Sequence, residues 1–180
     1  MAGVAVHTMM PSTTAGPQNV DEIGLIRRQC ATEHAHLTEA AQRLATMAAS
    51  SGNISERITV GYCDYLIYYL KRAIARCEAM TTELLARGTP ALSDAERSTL
   101  KGMEPLRCAT LARLAQLEDA GPIAAAARAS EATLEGLRQM RTILEPLAER
   151  HFGLSEWRRV AHFSADSVLE ERRRFQELLA

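Results

Sequence analysis

Apolar residues recur at intervals of three and four along most of this chain, and strict alternation is sustained nowhere. Such spacing puts them on one face of a helix with 3.6 residues per turn, so it predicts helices rather than strands. The first helix is expected over about residues 21–49, closed by "ASSGN". Its inward stripe is Ile23, Ile26, Cys30, His34, Leu37, Ala41 and Leu44. A second is expected over about 54–87, capped by Asn53 or Ser55 and stopped by Gly88. Ile58, Tyr62, Leu66, Tyr69, Ala73, Cys77, Met80 and Leu84 point inward from it. Cys63, Ile67, Leu70 and Ile74 widen that face, so this helix is expected to have neighbours on both sides.

The third helix, about 94–119, begins at a capping box formed by Ser93 and Glu96. Leu100, Met103, Cys108, Leu111 and Leu114 are its expected inward residues, and Pro105 should kink or divide it. Pro122 opens a fourth helix running to about His151. Ile123, Ala127, Ser130, Leu134, Leu137, Met140 and Leu144 face inward there, with Pro146 one turn before the end. A short segment from Ser155 and a last helix capped by Ser164 follow. Four long helices on short loops imply an all-α fold, an up-down-up-down four-helix bundle with an additional C-terminal helix. The chain then divides into a flexible N-terminal tail (1–20), the bundle (21–151) and a C-terminal helical extension (152–180).

Composition adds exclusions. At 180 residues the chain is the size of one ordinary domain, and 47% hydrophobic residues suffice for a sizeable core. Aromatics are only 4%, while Ala, Leu, Glu and Arg abound, which favours helices. A formal net charge of −1 carries no footprint for nucleic acid or an anionic membrane. No apolar run approaches the ~20 residues of a membrane span. The opening "MAGVAVHTMMPSTTAGPQ" lacks the basic region and apolar stretch of a signal peptide. The four cysteines, Cys30, Cys63, Cys77 and Cys108, show no C-x-x-C spacing. They read as small buried hydrophobes in a reducing cytoplasm.

The stretch "RRQCATEHAHLTEA" (27–40) gathers Cys30, Glu33, His34 and His36. Glu33-x-x-His36 has the spacing used in di-iron bundles, but a second such motif is lacking, so it reads as a solvated pair. Cys30 and His34, four apart on one face, could close on a single metal. A site joining His34 to Cys77 and Cys108 across three helices is conceivable, against a plain core histidine hydrogen-bonded to a neighbour. His162 and Asp166 share a face, and "EERRRFQE" is a charged run opposite Leu169, Phe175 and Leu178–Leu179, fit for solvent or for a partner. No Ser/His/Asp arrangement or Gly-rich phosphate loop is present.

Four segments together resemble the hemerythrin-like (HHE cation-binding) family over roughly residues 22–160. "TEHAHL" (32–37) resembles its E-H-x-x-L opening, which implies a first-ligand role for His34. "YLIYYLKRAIARC" (65–77) resembles the approach to its second-helix ligands, and "RCATLARL" (107–114) its third helix. "ILEPLAERHFGLSEWRRV" (143–160) resembles its L-x-P-x-A-E-R ending and the short helix beyond. The departures matter equally. Where the family carries ligands, this chain has Glu78, Ala79, Met80 and Thr81, then Cys108 and Ala112, then Gly136 and Met140 or Arg141. Only His34 remains of the implied di-iron ligands.

Three functions compete at this point. The first is a non-catalytic bundle that has lost the di-iron site, needs no cofactor, and regulates or binds a protein partner or a second copy of itself. The alternative is a sensor holding a single metal ion, a haem or a small apolar ligand in the core, through His34 and Cys108 or Cys77, with Cys30 nearby. The third is an enzyme built on His151, His162 and Asp166, for which nothing positions a nucleophile.

Overall fold

The computed structural model describes residues 17–50, 56–87, 92–119 and 122–161, together with 173 and 177. The helix-end side chains at 17–21, 56–58 and 161 are not included in that description. Residues 1–16 of the expected 1–20 tail, the Asn53 or Ser55 cap, the Gly88 stop, the Ile58 side chain, His162, Asp166 and the helix capped by Ser164 therefore lie outside the described residues, while residues 17–20 of that tail are helical and belong to the first helix. Six helices and no strand occur among the described residues: α1 (Pro17–Ala49), α2 (Glu56–Ala86), α3 (Asp94–Gly102), α4 (Glu104–Glu118), α5 (Ile123–His151) and α6 (Leu154–Ala161). The protein is all-α.

The capping box forms as the sequence predicts. Ser93 Oγ accepts from the Glu96 amide at 3.2 Å, and the Glu96 carboxylate accepts from the Ser93 amide at 2.8 Å. Pro105 divides the expected third helix, with Met103 ending α3 and leading into α4. In the first turn of α4 a missing N–H costs nothing, so the proline starts a helix there instead of breaking one.

This division exposes an error of register in the sequence reading. Cys108 and Leu111 are exposed, and the inward residues are Leu100, Met103, Thr110, Leu114 and Leu117. From Met103 a three-then-four step leads through the half-buried Leu106 to Thr110, while Cys108 lies five residues on, off the stripe.

Contacts fix the direction of each helix pair. Along α1, Arg27 meets Glu149 and Cys30 meets Arg141, so α1 and α5 run antiparallel. Arg107 meets Glu78 and Lys71 meets Glu118, so α2 and α4 do too. Thr110 lies against Gly136 while Arg113 donates to the Ala132 carbonyl, which gives the same sense to α4 and α5. The core is aliphatic, with Leu37, Leu44, Leu66, Leu70, Leu84, Leu114, Leu137 and Leu144 almost fully enclosed. No helix of the described residues is long and apolar enough to cross a membrane.

Gly136 is where α4 and α5 come closest. A Cβ there would overlap the Thr110 hydroxyl and stand 3.0 Å from its Cγ2. Thr110 is held by a 2.7 Å bond to the Leu106 carbonyl. We expect Gly136→Ala to lower stability by up to about 2 kcal/mol, because overpacking of about 1–3 is offset by the roughly 1 kcal/mol of helix propensity gained. Thermal unfolding of Gly136→Ala and of Gly136→Ala/Thr110→Ala checks this, since the second change removes the clashing atoms and should recover part of the loss.

Beyond α5 the chain turns at Phe152 and lays α6 across α1 and α2. Trp157 and Val160 are buried by this packing. Arg87 ties the corner together: it donates to the His151 carbonyl and the Glu156 carboxylate, and its guanidinium lies 4.9 Å from the Phe152 ring centre.

Candidate functional site

The polar heart of the fold lies where α1, α2 and α5 meet. On α1 the buried residues run Ile26, Cys30, Glu33, Leu37, Ala40 and Leu44, in steps of four and three. Glu33 therefore occupies a core position, at 4% exposure, and the reading of Glu33 and His36 as a solvated pair is wrong. Its partner is Arg76 of α2, itself buried, and the two form an ion pair between the helices. The carboxylate oxygen Oε1 has no hydrogen-bond partner among the described residues.

A second ion pair stands beside the first. Arg141 of α5 binds Glu145, one turn on, through Nε at 2.8 Å and Nη2 at 2.5 Å. Its third nitrogen, Nη1, donates to the Cys30 carbonyl at 2.9 Å and so ties α5 to α1. Cys30 and Cys77 feel both pairs, and burial pushes each thiol up to about 12. At neutral pH both are protonated, so a metal would have to displace their protons to bind them.

His34 sits at the edge of this cluster, half-buried. It is not the core histidine bonded to a neighbour that the sequence suggested: Nδ1 is enclosed and has no hydrogen-bond partner among the described residues. Burial of the ring lowers its pKa, and the nearby Arg141 guanidinium lowers it further, so the imidazole is neutral near pH 7. The ring lines two clefts between α1 and α5.

The remaining residues singled out in the sequence do not join His34. Cys108 is exposed on α4, and its thiol lies 3.4 Å from the Glu104 carboxylate. The His34–Cys77–Cys108 site is thus not assembled. Among the described residues no three His, Cys, Asp or Glu side chains stand close enough to share a metal ion. A di-iron centre needs more ligands than that, and two arginines occupy the polar interior instead. The residues present do not fit the metal that the family resemblance implies. His151 is used structurally, with Nε2 3.4 Å from Glu96.

No family model, curated protein or solved structure matches the chain.

Sequence reasoning missed Arg76 and Glu145. The Arg141-x-x-x-Glu145 spacing was available as a local pair. For Glu33 and Arg76, which lie on different helices, the only sequence signal was a charge standing where a three-four stripe required an apolar residue.

The thiols give a simple check. In native protein a thiol reagent should modify Cys108 first and Cys63 more slowly, leaving Cys30 and Cys77 unreacted until the protein unfolds. The Glu104 carboxylate raises the Cys108 pKa, so Glu104→Gln should speed its reaction. Peptide mapping after timed alkylation reads both effects.

Proposed function

We propose that the chain is a non-catalytic, up-down-up-down hemerythrin-like bundle that lacks a di-iron site and works by binding, as a regulatory or protein-interaction module. The observation that carries this reading is the pair of ion pairs, Glu33–Arg76 and Arg141–Glu145, filling the polar interior between α1, α2 and α5. Cations there are supplied by guanidinium groups rather than by metal. An arginine in such a position also repels a metal ion.

The antiparallel neighbours α1–α5, α2–α4 and α4–α5 support the bundle topology. For the partner, α2 offers Val60 and Tyr68, both more than half exposed and roughly a quarter turn apart around the helix. A protein partner or a second copy of this chain would cover them. The sensor reading through His34 and Cys108 has less support, since Cys108 is on the outer surface of α4.

The deciding experiment is elemental analysis, with an absorption spectrum, of protein purified from iron-replete cells. We expect a colourless protein with well under one metal ion per chain. Two irons per chain, one stoichiometric metal, or a Soret band would overturn the proposal.

A further inference from the structure

The outward face of α4 carries no charge. Thr110, Leu114 and Leu117 are buried on its inward side, and the exposed residues behind them are Pro105, Cys108, Ala109, Leu111, Ala112 and Ala115. A surface helix normally sets charged side chains opposite its buried stripe, and one that is apolar all round is normally covered on both sides. The neighbouring charges are engaged within the chain: Arg107 with Glu104 and Glu78, Glu118 with Lys71, and Arg113 with the Ala132 carbonyl. Cys108 stands open in the middle of this face, although free cysteine is among the residue types most often buried.

Two opposite charges bracket the face, and neither has a partner among the described residues: Lys101 in the last turn of α3 and Asp119 at the end of α4. Met103 between α3 and α4 keeps a helical φ of −76° and ψ of −16°, so one line of residues carries across the junction. From Lys101 through Pro105, Cys108, Ala112 and Ala115 to Asp119, its steps alternate between four and three. The line is symmetric about Thr110. Lys101 and Asp119 lie nine residues to either side, Pro105 and Ala115 five, Cys108 and Ala112 two. Turned end for end by a two-fold axis, the face meets its own complement, with lysine against aspartate at both ends and apolar residues between. A foreign partner gains nothing from that symmetry, whereas a second copy does. We propose that α4 packs antiparallel against α4 of a second copy of this chain, with Lys101 paired to the partner's Asp119 at each end. This rests on the binding reading above, of which it names one partner, the second copy, and seats it on α4 rather than on α2. The fifteen residues of α4 make a contact only about 22 Å long, so the dimer belongs to the small, transient class below about 1,200 Å² and dissociates on dilution.

The test is sedimentation equilibrium of the full chain from micromolar to millimolar concentration. We expect the mass to rise from 19.8 kDa towards twice that value, and alkylation of Cys108 to slow over the same range. Ala112→Arg, at an exposed position, should hold the chain monomeric with an unchanged circular-dichroism spectrum. Lys101→Glu should weaken association about tenfold, because it turns two attractions into two repulsions, and Lys101→Glu/Asp119→Lys should restore it. Tyr68→Ser, on α2, should leave association unchanged. A monomer at every concentration would overturn the dimer, while the metal-free reading stands or falls separately on elemental analysis. A dimer that survives Ala112→Arg would overturn the α4 surface, and a charge swap that fails to restore association would overturn the antiparallel register.

Discussion

Arg76→Met is expected to destabilise the protein by about 3–5 kcal/mol, because it strands the Glu33 carboxylate in the core without a counter-charge. With side-chain exposures of 7% for Arg76 and 5% for Glu33, water cannot take over the lost partner's role. Globular domains are stable by about 5–15 kcal/mol, so the variant should be close to unfolding. Glu33→Leu/Arg76→Met should behave oppositely. It removes both charges, and with them the unpartnered Glu33 Oε1, and replaces them with apolar groups of similar volume. Removing a buried pair whole is often neutral or stabilising by about 1–4 kcal/mol. Arg141→Met should cost less than Arg76→Met, since its carboxylate partner Glu145 is 19% exposed and can be rehydrated. Urea unfolding followed by circular dichroism gives all of these values. A loss below about 1 kcal/mol for Arg76→Met would show that the pair is screened like a surface pair, and the ion-paired interior would then carry no weight.

The contrast between single and double variants bears on why such a pair exists. If the apolar double variant is at least as stable, stability does not account for Glu33 and Arg76. What they retain is directional: one acid on α1 and one base on α2 match in only one register. That is the registry role buried polar pairs are best known to fill. It also suits a bundle whose polar interior holds arginines rather than metal ligands.

Much of the helical frame was legible in the sequence, because it depends on local signals. The α2 stripe through Tyr62, Leu66, Tyr69, Ala73, Cys77, Met80 and Leu84 is buried as the spacing predicts, and so is the α5 stripe from Ala127 to Leu144. The Ser93–Glu96 box and the break at Pro105 also act within a turn or two. What failed was inference across helices. A stripe drawn through apolar letters alone takes His34 and passes over Glu33, yet the four-three steps of α1 bury Glu33 and leave His34 at the edge. Likewise Thr110 is buried, and Cys108 is not, because Gly136 on another helix makes room for the threonine. No window of α4 alone contains that fact. The candidate site was half legible for the same reason: Cys30 and Glu33 of α1 were found as residues, but Arg76, which pairs with Glu33, and Arg141, which bonds the Cys30 carbonyl, arrive from α2 and α5.

Trp157→Ala should lower global stability by about 3–5 kcal/mol, the usual loss for emptying a buried aromatic site. At 1% exposure, Trp157 is the largest fully buried side chain, and it packs edge-on to Phe152 with ring centres 6.2 Å apart. Val160 and the Arg87–Glu156 pair also hold α6, while Arg158–Glu22 and Arg159–Glu83 are surface pairs, worth about 0–1 kcal/mol each. Trp157 is thus the largest single contributor to the burial of α6. Trp157→Phe should cost distinctly less than Trp157→Ala. It keeps most of the ring and removes Nε1, which is buried without a hydrogen-bond partner among the described residues. Because the chain has a single tryptophan, its fluorescence reports α6 alone, while circular dichroism reports the whole bundle. We expect the two signals to change together in urea, with blue-shifted emission in the native state. An earlier fluorescence transition, with the circular-dichroism midpoint of Trp157→Ala unmoved, would instead mean that α6 opens as a separate unit, at a free energy below that of the bundle. In that case the Arg87 corner, not the indole, would set how long α6 stays docked over α1 and α2.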